Sequence, residues 1–248
     1  MRRLVLKMSV TLDGFVCGPN GELDWLFQSA DERLTAWTVA SLWQAGLHLM
    51  GSRTYYDMAS WWPYSTEPFA APMNAVPKAV YTSSGVLHAS PAGHTTHAVE
   101  DALRARRASA SAPAMPSEAV ARSWTHPSIL SGDFAGAMAR LKRESGKDVV
   151  AHGGARFAQS LIATGLIDEY QLVVHPVALR RGQPLFCGLP HPLRLQLVHA
   201  TAFPAGAVAH IYRPLPQSPQ PQIPEPGRIH HADRRIERRS VPVLSASR

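Results

Sequence analysis

The segment Asp148-Val-Val-Ala-His-Gly-Gly-Ala-Arg-Phe157 constrains this chain more than any other. A buried-type β run passes directly into two glycines. A helical pattern then follows over residues 155–163 and closes at Gly165. Glycines at such a junction let the backbone approach a ligand closely. The unsatisfied amides of the helix start then face an anion, most often a phosphate. Ligand crevices in open α/β sheets lie at the carboxyl ends of the strands, where this junction falls. Taken alone, the segment also fits a plain tight turn. It matches neither the G-x-G-x-x-G fingerprint nor the G-x-x-x-x-G-K-[ST] loop.

Strands alternating with helices recur along the chain. Residues 3–10 read as a strand, and Asp13-Gly14 and Gly18-Pro19-Asn20-Gly21 as turns. Residues 31–45 carry apolar positions at Leu34, Trp37, Val39, Leu42 and Trp43, a helical spacing with Ser29 or Asp31 as N-cap. Short strands are expected at 47–50 and 78–82, with a helix from Thr54 that stops near Pro63. Further on come a helix at 134–144, strands at 148–152 and 169–175, and two final strands at 194–199 and 208–212. This order predicts an α/β fold in three layers: a mostly parallel central sheet, helices on both faces, and an antiparallel C-terminal edge hairpin.

Two stretches break the pattern. Residues 88–122, rich in Ala, Ser, Pro and Arg, read as a flexible loop insertion with a short helix near 99–107 and order returning at Trp124. From Pro214 onward, alternating prolines and then arginines lack the apolar content to repay ordering, so 214–248 is expected to be a disordered tail after one domain over 1–213.

Bulk properties narrow the function. The net charge of +7 is spread between tail and body, and the tail holds six arginines against Glu225, Asp233 and Glu237. That distribution reads as ordinary surface charge, so nucleic acid is not expected as a partner. No run of about 18 apolar residues points to a membrane span. Two cysteines, Cys17 and Cys187, fit a reducing, cytoplasmic setting. The histidines, His94, His97, His230 and His231 among them, lack a carboxylate or cysteine cluster, so no metal is expected.

Two more strand ends repeat the first junction. Leu47-His-Leu-Met-Gly-Ser-Arg-Thr54 runs strand, glycine, hydroxyl, cation, hydroxyl. Val80-Tyr-Thr-Ser-Ser-Gly85 places hydroxyls after a strand. Each alone suits an ordinary helix start or turn. Three together suit an extended dinucleotide with several phosphates.

The ordered set Leu12-Asp13-Gly14, Met50-Gly-Ser-Arg-Thr54, Thr82-Ser-Ser84 and His152-Gly-Gly154 resembles the dihydrofolate reductase superfamily. Lys7-Met-Ser-Val-Thr-Leu-Asp-Gly14 and Leu172-Val-Val-His-Pro-Val-Ala-Leu-Arg-Arg-Gly-Gln-Pro-Leu-Phe186 are similar to the reductase domain at the C-terminus of the riboflavin-pathway deaminase–reductase, in its free-standing bacterial form. The resemblance covers about 3–213 apart from 88–122. It implies NADPH as cofactor, with hydride transfer to a pterin- or pyrimidine-like heterocycle or ribityl precursor, such as 5-amino-6-(5-phosphoribosylamino)uracil. It implies that Gly51, Ser52, Arg53 and Thr54 hold cofactor phosphates. Thr82, Ser83 and Ser84 would lie beside the adenosine 2′-phosphate, and Gly153, Gly154, Ala155, Arg156 and Phe157 would form the pyrophosphate turn. Asp13 and Asp57 are the candidate catalytic acids, although each also fits a turn or helix-start role. A folate-type carboxylate deep on the first helix is missing: Thr35, Thr38 and Ser41 stand there. The zinc motifs of a fused deaminase, H-x-E and P-C-x-x-C, are absent. Dihydrofolate reductase itself, a non-catalytic nucleotide-binding regulator, and nucleic-acid binding through the tail stand as alternatives. A homodimer is the one protein partner left open.

Overall fold

The computed structural model describes residues 1–88, 115–189 and 191–216. The chain divides into a unit Met1–Leu215 and a unit Pro216–Arg248. The second lies outside the described residues except for Pro216.

The first unit runs β1 (Leu4–Thr11), β2 (Phe15–Cys17), α1 (Glu32–Leu42), β3 (Ala45–Gly51), α2 (Ser52–Trp61), α3 (Ala70–Ala75), β4 (Lys78–Tyr81), α4 (Glu118–Thr125), β5 (Ser128–Leu130), α5 (Phe134–Arg143), β6 (Asp148–His152), α6 (Ala155–Ala163), β7 (Glu169–His175), β8 (Gln183–Pro184), β9 (Leu195–Ala202) and β10 (Val208–Pro214). Eight strands form one sheet in the order β5-β4-β3-β6-β1-β7-β10-β9. All neighbours from β5 to β7 are parallel, and β10 runs antiparallel to both β7 and β9. This is the expected mostly parallel sheet with an antiparallel edge hairpin.

Strand alternation sorts the core onto two faces. Leu4, Leu6, Leu47, Leu49, Val149 and Ala151 point to one side, where Met138 and Leu141 of α5 and Ala158 and Leu161 of α6 cover them. Met50 and Val80 point to the other, beneath Tyr55 of α2, Met73 of α3 and Trp124 of α4. On that second face Leu34 and Trp37 of α1 pack over Val173 and Ala209, nearer the hairpin. Helix starts follow their N-cap chemistry: Asp31 accepts from the Leu34 amide at 2.8 Å, Ser117 caps α4, and Asp133 accepts from Gly136 at 2.8 Å.

Several expectations need correction. The insertion assigned to 88–122 ends earlier, because Ser117 opens the capped helix α4, whose Trp124 is 3% exposed. Tyr55 of α2 donates to the Trp124 carbonyl, and Lys78 of β4 donates to the Ser123 hydroxyl, tying that helix to its neighbours. The short helix expected near 99–107 lies outside the described residues. Pro214, expected to open the tail, instead closes β10, and the Leu215 amide donates to the Arg194 carbonyl at 2.9 Å. Residues 217–248 lie outside the described residues. Among the described residues no helix is long and apolar enough to cross a membrane.

Candidate active site

Strands β3, β6 and β4 are adjacent and parallel, so their carboxyl ends share one edge of the sheet. Helix α2 starts directly after β3, with Gly51 as an N-cap that offers no side chain. Helix α6 starts after β6 in the same way, with Gly154 as its N-cap. Neither helix has its first amides satisfied by a side-chain cap. These helix starts are close neighbours. A Cβ on Gly154 would lie 3.3 Å from the Thr54 hydroxyl, and one on Gly51 would lie 3.3 Å from the Phe157 ring. Two uncapped N-termini side by side make a positively polarised cradle for a doubly charged linkage such as a pyrophosphate.

The structure therefore brings Gly51, Ser52, Arg53 and Thr54 together with Gly153, Gly154, Ala155, Arg156 and Phe157. Arg53 and Arg156 are exposed in the first turns of their helices, and Ala155 is buried. Phe157 extends an aromatic row through Phe134, at 5.8 Å between centroids, to Tyr81. Thr82, Ser83 and Ser84 follow β4 at the same edge. Thr82 and Ser84 hydroxyls lie 3.1 Å apart, and both reach the Val86 carbonyl, which folds the turn and leaves Ser83 exposed.

Of the two candidate acids, Asp13 lies in the turn after β1 and Asp57 on α2, three residues beyond Thr54. The Asp13 carboxylate accepts from the Thr11 hydroxyl at 2.6 Å and from the amides of Leu179 and Arg180 at 3.2 and 2.8 Å. The Thr11 bond and these amides hold it below the usual carboxylate range, a charge state suited to clasping a loop and not to giving up a proton. Asp57 lies half-buried on α2, and its main-chain carbonyl accepts from Ser60 at 2.8 Å.

Between α1 on one side and α2 and α3 on the other, the sheet presents polar groups that sequence reasoning passed over. Lys7 of β1 faces α1 with its ammonium 4.3 Å from the Trp37 ring centroid. Its Nζ is enclosed and has no hydrogen-bond partner among the described residues. Burial pushes it down to about 7. Its register partner on β6 is His152, whose Nε2 is hydrogen-bonded to His48 Nδ1 of β3 at 2.9 Å. Burial pushes His48 down to about 4; burial, then His48 and Lys7, push His152 well below the ordinary histidine range. Both rings are therefore neutral near pH 7. Beneath α1 the sheet thus holds an enclosed amine whose proton affinity is lowered to near neutrality, beside a neutral imidazole pair. A lysine inside the apolar run Leu-Val-Leu-Lys-Met was the available signal.

On the same side of the sheet, between α1 and the lead-in to α3, opens a concavity of about 570 Å³ lined by Asp31, Glu32, Thr35, Ala36, Val39 and Pro68, among others.

Residues 2–209 match the RibD C-terminal domain family. The chain belongs to this family. RibD C-terminal domains are reductase-like, which agrees with the cradle. Among curated relatives, YyaP of Bacillus subtilis is 28% identical over 211 residues, covering 85% of this chain and 94% of YyaP. YwjB of the same organism is 24% identical over 216 residues, covering 86% of this chain and 98% of YwjB. Both relatives are uncharacterised. The fold is shared with a protein of Shewanella sp. PV-4 assigned to riboflavin biosynthesis, at TM-score 0.61 and 18% identity, covering 87% of this chain and 99% of that one. It is shared also with a deaminase/5-amino-6-(5-phosphoribosylamino)uracil reductase of Thermotoga maritima, at TM-score 0.57 and 16% identity, covering 86% of this chain and 57% of that one.

Proposed function

We propose that this protein is an NADPH-dependent reductase that delivers hydride to a pyrimidine- or pterin-like heterocycle. The observation that carries the reading is the pair of uncapped helix N-termini meeting at Gly154 and Thr54, on the same sheet edge as the Thr82–Ser84 turn. The amides of α2 and α6 hold the pyrophosphate, helped by the Ser52 and Thr54 hydroxyls. Arg53 and Ser83, both exposed, meet the adenosine 2′-phosphate. Bound NADPH supplies a hydride from its dihydronicotinamide ring.

The protein's own chemistry is the proton. Lys7 holds one at Nζ near neutrality and gives it to the nitrogen or oxygen beside the carbon that receives hydride. Trp37 walls Lys7 off from water, and the neutral His152–His48 pair places no second cation next to it. The carboxylates at the start of α1 are its N-cap Asp31, taken up by the amides of Leu34 and Ala205 at 2.8 and 3.0 Å, and the exposed Glu32, while Thr35, Thr38 and Ser41 stand deeper on the helix. That disfavours dihydrofolate reductase.

The test is a pair of cofactor titrations. Gly154→Val should abolish binding of NADPH and NADH alike in a folded protein, because the new side chain fills the cradle. Arg53→Ala should weaken NADPH by about one to two orders of magnitude, the loss of one charged hydrogen bond or two, and leave NADH nearly unchanged. Unaltered NADPH affinity in Gly154→Val removes the cofactor assignment. Tight NADPH binding without oxidation by any heterocycle favours the regulatory reading.

A further inference from the structure

The two edges of the sheet differ. At one end lies β5, three residues long. At the other lies β9, eight residues from Leu195 to Ala202, and among the described residues no strand pairs with its outer side. An edge of that length presents a row of unmet main-chain donors and acceptors, which proteins ordinarily blunt with charge, proline or a short strand. The run Leu-Gln-Leu-Val-His-Ala-Thr-Ala has no lysine, arginine, aspartate, glutamate or proline. Its one irregularity is a register shift against β10 between His199 and Leu197. Residues 196–200 are all exposed, so both faces of the strand are open. On one face an apolar row runs outward across paired strands, from Leu6 through Tyr170 and Tyr212 to Leu197. It stops at the edge with Leu197 50% exposed, and Val198 beside it is 46% exposed.

We propose that β9 is a homodimer interface: β9 of a second copy adds to it antiparallel, about a two-fold axis normal to the sheet near Val198 and His199, and joins two sheets into one. The partner must bring a strand of similar length, uncharged and with its amides intact. The continuation of this chain lacks those amides, because prolines at 214, 216, 219, 221, 224 and 226 remove main-chain donors. β5 of another molecule is too short, and that head-to-tail contact leaves most of β9 uncovered. A second β9 matches in length and closes the assembly at two subunits. Self-pairing also brings no like charges together. Arg194, the cation flanking the strand, falls at opposite ends of the ladder in the two copies. The apolar rows that end at Leu197 then meet in one strip across the joined sheets.

The test uses the full chain at micromolar concentration. Sedimentation should read twice the chain mass, and hydrogen exchange in β9 should be slow. Leu197→Lys, a change at a half-exposed side chain, should weaken association by about a hundredfold or more, because it sets like charges into the strip where the two copies meet. The same variant should restore fast exchange in β9. Leu197→Cys, Val198→Cys and His199→Cys are made singly in a Cys187→Ser chain. On mild oxidation one of them or more should give a covalent dimer, since opposed residues of an antiparallel pair stand within disulfide reach. The Cys187→Ser parent and its Ile129→Cys variant, on the β5 edge, should not. A monomeric wild type overturns the proposal, and slow exchange in β9 of that monomer would mean that another part of the chain covers the edge. A dimer that Leu197→Lys leaves intact and that no β9 cysteine links uses another surface, which overturns the proposal too.

Discussion

An ammonium group removed from water without a hydrogen-bond partner costs several kcal/mol, and such a group lowers that cost by giving up its proton. Lys7 is in this position, its ammonium over the π surface of Trp37. Its value falls from 10.5 to about 7 on folding. The unfolded chain therefore binds more protons between those limits, and stability rises with pH from about 7 toward 10.5. Lys7→Met, which keeps the length and removes the charge, should flatten that rise and be at least as stable as wild type at pH 7. Its turnover should drop by about a hundredfold or more, the usual weight of a positioned proton donor. Urea midpoints at several pH values and kcat on the same samples check both halves. A stability slope unchanged by the substitution would mean that Lys7 keeps an ordinary proton affinity.

Loop tethering is the corresponding problem at the scale of elements. The segment after β1 is anchored at several points: the Asp13 carboxylate on the Leu179 and Arg180 amides, the pairing of β2 with β8, and the Leu185 amide donating to Gly14 at 2.9 Å. The Ser29 hydroxyl and His175 Nδ1, 2.7 Å apart, fix its far end. Asp13→Ala should speed hydrogen exchange at Leu179 and Arg180 while lowering turnover less than Lys7→Met does. Loss of turnover comparable to Lys7→Met with exchange unchanged would make Asp13 an acid after all. This clasp also marks where the sequence was legible. Apolar runs such as Asp148–His152 and Glu169–His175, bounded by glycine or polar turns, give strands at their expected bounds. The glycine–hydroxyl strand ends likewise read correctly as neighbours, because parallel pairing dictates it. Elements with no periodicity of their own were not legible. The three-residue strand Ser128–Leu130 is mostly exposed, the β2–β8 pair depends on contacts remote in sequence, and α4 follows a proline-rich stretch that reads as loop. Lys7 was overlooked because a lysine in a strand ordinarily marks the wet face, and here a helix covers that face.

For the molecule as a whole, Met1–Leu215 is one compact unit, and near its end the Leu215 amide donates to the Arg194 carbonyl. A chain ending at Leu215 should melt within ~4 °C of the full protein, the shift that about 1 kcal/mol produces in a domain of this size. A larger fall in a thermal scan would show that the remaining residues contribute to the core. The order of strands has a further consequence for how the chain is made. Strand β1 sits near the middle of the sheet, yet its partners are β6 and β7: Leu4 pairs with Val149, and Val5 with Glu169. At ~5–20 residues per second of synthesis, the first apolar strand waits roughly ten to thirty seconds on the ribosome before its neighbours exist. During that interval Leu4 and Val5 have no strand to pair with, so the centre of the sheet closes only after Val149 and Glu169 have been made.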